Sequence, residues 1–93
     1  VISKKILFIG TVNSSKVFPR DAFREAVKEN STNIILVHNH PAGSIEPSYE
    51  DTYLTTIFTK IGAYLDIKIL DHIIIGKNNY YSFKDSDPDI LTY

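Results

Sequence analysis

The sequence predicts an α/β domain built on a mixed sheet, and three observations carry that expectation. Ile34-Ile35-Leu36-Val37 is an unbroken apolar run, as expected of a strand covered on both faces in the middle of a sheet. Leu54, Ile57, Phe58, Ile61 and Leu65 recur at helical spacing and mark one apolar face. Around them strand-like and helix-like stretches alternate, the pattern of a layered α/β arrangement. The 93 residues leave room for a single domain, near the lower limit for an independent core.

Residues 1–9 read as a strand, because β-favouring apolar types dominate from Ile6 to Ile9. Gly10 ends it, and Thr11 to Lys16 is a polar loop. Pro19 opens a helix, where its missing N–H costs nothing. Ala22, Phe23, Ala26 and Val27 form its apolar stripe opposite Arg20, Arg24, Lys28 and Glu29, and Asn30-Ser31-Thr32-Asn33 stops it. The buried strand at 34–37 then delivers His38 and His40 at its carboxyl end. Pro41-Ala42-Gly43-Ser44 breaks that strand, and Pro47 precedes the second helix. Gly62 sits inside that helix at a cost of ~1 kcal/mol relative to alanine, which points to a close neighbour. A third strand spans 67–75. Gly76-Lys77-Asn78-Asn79 turns the chain into a short partner strand, Tyr80 to Phe83, and the polar, acidic remainder from Lys84 ends the domain.

Composition excludes several function classes. The formal charge is −1, with no local Lys/Arg cluster, so direct nucleic-acid binding by this module is not expected. No apolar run approaches membrane-spanning length. With no cysteine, neither disulfides nor thiolate metal sites are available, which suits a cytoplasmic protein. There is no methionine, an initiator included, so the chain reads as part of a longer protein.

The chemistry concentrates between His38 and Asp51. Histidines at i and i+2 on an extended segment point to the same face. An aspartate eleven residues after the second histidine, beyond a Pro/Gly loop, can fold back beside them. Two imidazoles and one carboxylate with an open fourth position make a catalytic-type zinc site. Ser48-Tyr49-Glu50-Asp51 also reads as an ordinary helix start, with a capping serine and acids in the first turn, and on that reading Asp51 needs no metal. Spacing alone leaves the two about equal.

The full arrangement is more specific. His-x-His-Pro, six residues, then Ser-x-x-Asp is similar to the signature of the JAMM, or MPN-type, metalloproteases. Gly10-Thr11-Val12-Asn13, Pro19-Arg20, His38-Asn39-His40-Pro41-Ala42-Gly43, Pro47-Ser48-x-x-Asp51 and Asp71-His72-Ile73-Ile74-Ile75-Gly76 together resemble the RadC-like branch over essentially the whole chain. The resemblance implies a cytidine-deaminase-like three-layer α/β/α sandwich with a mixed sheet, lacking the opening helix and strand of the family domain. It implies zinc ligated by His38, His40 and Asp51, and Ser48 as hydrogen-bond donor to a tetrahedral oxyanion. The implied activity is zinc-dependent hydrolysis of peptide or isopeptide bonds in a peptide or protein substrate. A non-catalytic protein-binding scaffold and the family's DNA-repair label are the alternatives.

Two departures stand out. The family uses a glutamate as general base, and the resemblance places it upstream of Val1; Glu25 and Glu29 read as solvated helix positions, and Glu46 as a weak candidate. Phe18 and Ala42 stand where RadC-like sequences usually carry histidine and serine. Asp71 and His72, adjacent on a strand, face opposite sides; one could orient a ligand histidine, although a satisfied polar pair beside the core is the plainer expectation. Arg20 reads as a solvated helix-start residue, and Asp85 to Asp89 lacks the glycine and terminal glutamate of a calcium loop. If the first strand lacks an outer neighbour, its free edge invites a homodimer.

Overall fold

A computed structural model describes residues 6–11, 19–40 and 45–92. The elements follow the expected order: β1 (Ile6–Thr11), α1 (Pro19–Lys28), β2 (Asn33–Asn39), α2 (Tyr49–Leu65), β3 (Lys68–Ile75) and β4 (Tyr80–Ser82). A short helix α3 (Phe83–Ser86) and a 3-10 turn (Pro88–Leu91) close the chain. The expected loop after Thr11, the Pro41-Ala42-Gly43-Ser44 break and the first five residues of the opening strand lie outside the described residues.

The strands form one mixed sheet in the order β1-β2-β3-β4. β1, β2 and β3 are parallel and β4 is antiparallel to β3. Two successive right-handed crossovers that step the same way along a sheet place both helices on one face. The core agrees: Ala22, Phe23 and Ala26 of α1 meet Phe58 of α2 over Ile34, Leu36 and Ile69 of the sheet. Phe23 and Phe58 stack with ring centroids 5.3 Å apart. These helices and the sheet are two layers; the further helical layer of the expected three-layer sandwich is not among the described residues. The opposite sheet face, with Ile35, Val37 and Ile73, is half-buried. Among the described residues β1 lies at one edge of the sheet.

Two local expectations change. Val27 is 60% exposed and does not join the α1 stripe, because the sheet reaches only Ala22, Phe23 and Ala26. Phe83 is not a strand residue; it begins α3 and is buried. The acidic stretch Lys84 to Asp89 is exposed, while Leu91 beyond it packs on the core, a contact the sequence does not signal. Asp71 anchors that end. Its carboxylate accepts the Ser82 hydroxyl at 2.6 Å and the backbone N–H groups of His72 and Lys84 at 2.7 and 2.9 Å. Ser82 in turn accepts the Asp85 N–H and caps α3. Hydrogen bonds to a charged acceptor contribute more than neutral ones, and three share this half-buried group. Asp71→Ala is therefore expected to lower unfolding free energy by about 2 kcal/mol in a urea titration; an unchanged midpoint would contradict the anchoring role.

Gly62 has the close neighbour the sequence demands. Asp66 ends α2 in the left-handed region (φ 59°), and the Ile67 N–H donates back to the Gly62 carbonyl at 2.8 Å. The reversal lays the Ile67 carbonyl oxygen over Gly62, and a Cβ there would collide with it. In an open helix Gly→Ala stabilises by ~1 kcal/mol. Gly62→Ala is expected to reverse that sign and destabilise by about 2 kcal/mol, because backbone must shift to admit the methyl. A raised melting temperature would count against this packing.

Candidate metal centre

The site forms at the carboxyl ends of the parallel strands, where open α/β sheets commonly bind ligands. His38 lies on β2, opposite Ile74 in the β2–β3 register. His40 is just beyond β2, and its N–H donates to the Ile75 carbonyl at 3.0 Å, which continues the pairing past the strand end. The two imidazoles project to one face, as their spacing requires, and meet edge to face with centroids 5.0 Å apart.

Asp51 arrives from the first turn of α2. Ser48 is the N-cap, with extended backbone (φ −78°, ψ 169°). Its hydroxyl accepts the Asp51 N–H at 3.1 Å, while Asp51 Oδ2 accepts the Ser48 N–H at 2.8 Å. This is a complete capping box. The Ser48 hydroxyl donates its single proton to Asp51 Oδ2 at 2.9 Å. The helix-start reading and the ligand reading of this stretch thus describe the same geometry, since the box aims the carboxylate at the histidines.

His38 Nδ1 lies 2.8 Å from Asp51 Oδ1, and His40 Nε2 lies 3.1 Å from Asp51 Oδ2. Asp51 is 2% exposed, whereas the two histidine side chains are 16% and 19% exposed, so the group is open on one side. Burial alone would raise the Asp51 pKa. The Ser48 N–H and hydroxyl, followed by His38 and His40, outweigh it and hold the carboxyl below its ordinary 3.8. An ionised carboxylate is the form that ligates.

The donor set fits a metal ion. His38 Nδ1 is buried and has no hydrogen-bond partner, because its short approach to Asp51 lacks hydrogen-bond alignment. Buried polar atoms are rarely left so, and a buried ring nitrogen facing a carboxylate suits a shared cation. Tetrahedral zinc, with nitrogen and oxygen ligands at about 2.0–2.2 Å, sets neighbouring donors about 3.4 Å apart. The two gaps to Asp51, 2.8 and 3.1 Å, are somewhat shorter than that spacing, and His40 meets the group through Asp51.

One residue enters for which the sequence favoured a plain polar pair beside the core. His38, Asp51 and His72 each bring a ligand-type atom within 4.8 Å of the others. His72 is 1% exposed, and its Nδ1 lies 2.6 Å from the Thr55 hydroxyl. Burial pushes its pKa down to about 4; nearby Asp51 and Asp71 oppose that shift, and His38 and His40 add to it. As expected, Asp71 turns to the other face and bonds the His72 backbone, not its ring. Strand parity alone could have flagged one of the two residues, but not which.

None of the chain's four glutamates joins this cluster: Glu25, Glu46 and Glu50 are exposed, and Glu29, just after α1, is half-buried. Among the described residues no helix is long and apolar enough to cross a membrane.

Comparison with known proteins places this geometry in a family. Residues 1–88 match the model of the RadC-like JAB domain. The chain belongs to the RadC-like JAB domain family. A UPF0758 protein of Clostridium perfringens is 49% identical over 87 residues, covering 94% of this chain and 38% of that protein. UPF0758 relatives in Clostridioides difficile and Chlorobaculum tepidum are 48% and 42% identical, covering 92% and 91% of this chain and 37% and 38% of theirs. The chain thus spans less than two fifths of the length of these RadC-like relatives.

Proposed function

We propose that this RadC-like domain is the metal-holding part of a zinc-dependent hydrolase of the JAMM/MPN type, acting on peptide or isopeptide bonds. The observation that carries the reading is the convergence of His38, His40 and Asp51, with a buried imidazole nitrogen left without a hydrogen-bond partner. In that role His38, His40 and Asp51 hold the ion. Zinc, when bound, supplies Lewis acidity that polarises a carbonyl and makes a nucleophile available near neutral pH. Ser48 keeps its hydroxyl at the rim of the site, where rotation away from Asp51 lets it donate to the developing oxyanion of a substrate carbonyl. The exposed side of the two histidines admits the substrate. The general base is proposed to be a glutamate outside these 93 residues, because none of the chain's own glutamates joins the close cluster of ligand-type atoms.

That placement also favours a second reading, a protein-binding scaffold that keeps the metal without using it. Incubating the zinc-loaded full-length protein with a panel of fluorogenic peptide and isopeptide substrates separates the two. Cleavage that disappears in His38→Ala is expected for the hydrolase; intact substrates throughout would leave the scaffold. We further propose that β1, at the sheet edge, pairs with β1 of a second copy. Light scattering should then give twice the chain mass, and a monomer across the concentration range would rule this out.

A further inference from the structure

We propose that His72 and Thr55 are the positioning pair of the metal centre: His72 holds Thr55, Thr55 holds the turn of α2 that presents Asp51, and the His72 ring backs His38. The inference rests on the reading of His38, His40 and Asp51 as ligands, and extends it to two residues outside that set.

The hydrogen-bond network decides how the pair is connected. The Thr55 hydroxyl lies 2.7 Å from the Asp51 carbonyl oxygen and 2.6 Å from His72 Nδ1. It has one proton to give. Two oxygens 2.7 Å apart with no proton between them would repel, so the proton goes to the carbonyl. The contact with His72 then requires a proton on Nδ1, donated to Thr55. The protonated nitrogen is therefore assigned from the network, and the direction of the chain is His72 to Thr55 to Asp51.

The consequence is that Asp51 is fixed on every side. Its carboxylate takes the Ser48 N–H and hydroxyl, its own N–H goes to Ser48, and its carbonyl is held by Thr55. Thr55 is fully buried, and so is His72, so neither bond competes with water. The His72 ring lies within 17° of parallel to His38, with centroids 6.0 Å apart, and within 17° of parallel to Phe83 at 5.1 Å. His38 therefore has a flat, rigid surface behind it. A phenylalanine at position 72 would fill the same space without the cost of burying an imidazole. What it would lack is the bond to Thr55. Groups of this kind, which orient metal ligands from behind, typically change metal affinity 10–100-fold when removed.

The test measures zinc affinity by competition with a chromophoric chelator, and the visible absorption of the cobalt(II) form. Far-UV circular dichroism of each metal-free variant confirms folding. Thr55→Val and His72→Phe are expected to bind zinc about 10–100-fold more weakly and to alter the cobalt bands. Thr55→Ser keeps the hydroxyl, and His72→Asn keeps a donor where Nδ1 stands; both should stay within roughly threefold of the unmodified chain. Thr55→Val, nearly isosteric, keeps the question answerable if a His72 variant fails to fold. Unmodified affinity and spectrum in Thr55→Val and His72→Phe would overturn the proposal. So would a His72→Asn protein as impaired as His72→Phe, since the other ring nitrogen would then be what matters. If the unmodified chain binds neither ion, the ligand reading itself fails and takes this inference with it.

Discussion

Asp51→Ala is expected to abolish tight zinc binding while leaving the chain folded. Structural zinc sites bind with about 10–16 kcal/mol, so one of three protein ligands accounts for about 4 kcal/mol, or about a thousandfold in affinity. The same substitution removes the acid side of the capping box, where Asp51 accepts the Ser48 N–H. A lost cap contact costs about 1 kcal/mol, too little to unfold a stable domain. Isothermal titration with zinc, paired with a thermal melt, separates the two effects. His38→Ala should show the same loss of zinc without the capping cost. If Asp51→Ala bound zinc as the unmodified chain does, Asp51 would be a helix-start residue and nothing more.

A second large effect concerns acid stability of the metal-free protein. His72 has its pKa depressed to about 4 by burial, against 6.5 for the ordinary imidazole. The unfolded chain therefore takes up a proton on His72 as pH falls through 6.5, while the folded chain does not until about 4. The stabilising effect of keeping His72 neutral is whole above pH 6.5 and is lost progressively down to pH 4. The difference corresponds to about 3 kcal/mol. Asp51, whose pKa is lowered from 3.8, adds a further loss below that value, as its carboxylate is protonated in turn. Urea titrations in the presence of a chelator, from pH 7.5 to 4, should show the unfolding free energy falling across this window. His72→Phe should flatten the curve. A flat curve for the unmodified chain would mean that His72 is not buried as a neutral ring.

The parts of this domain legible in the sequence are those set by local periodicity. The apolar run at Ile34 to Val37 and the spacing from Leu54 to Leu65 marked β2 and α2 as elements, but the buried face of α2 is Asp51, Thr55, Phe58, Thr59 and Gly62, with Leu65 47% exposed. The meeting of His38, His40 and Asp51 was legible for a similar reason: strand alternation puts His38 and His40 on one face, and the Ser48–Asp51 spacing is that of a helix start. His72 was not. Ile34 pairs with Ile69 but Ile35 pairs with Asp71, a register shift that skips Leu70. Without it Leu36 would face Asp71, and the aspartate would lie on the site side of the sheet. One extra residue in β3 thus decides which of two adjacent polar side chains backs the centre, and no local pattern announces it. The fate of Phe83 and Leu91 was hidden likewise, since α3 and the closing turn depend on Asp71, Ser82 and the core rather than on their own sequence.

In the proposed site His38, His40 and Asp51 hold one zinc ion. Elemental analysis of the protein after zinc loading and gel filtration tests it most directly. One zinc per chain, falling to background in Asp51→Ala, is the predicted result; a folded, unmodified chain that emerges without zinc would contradict it.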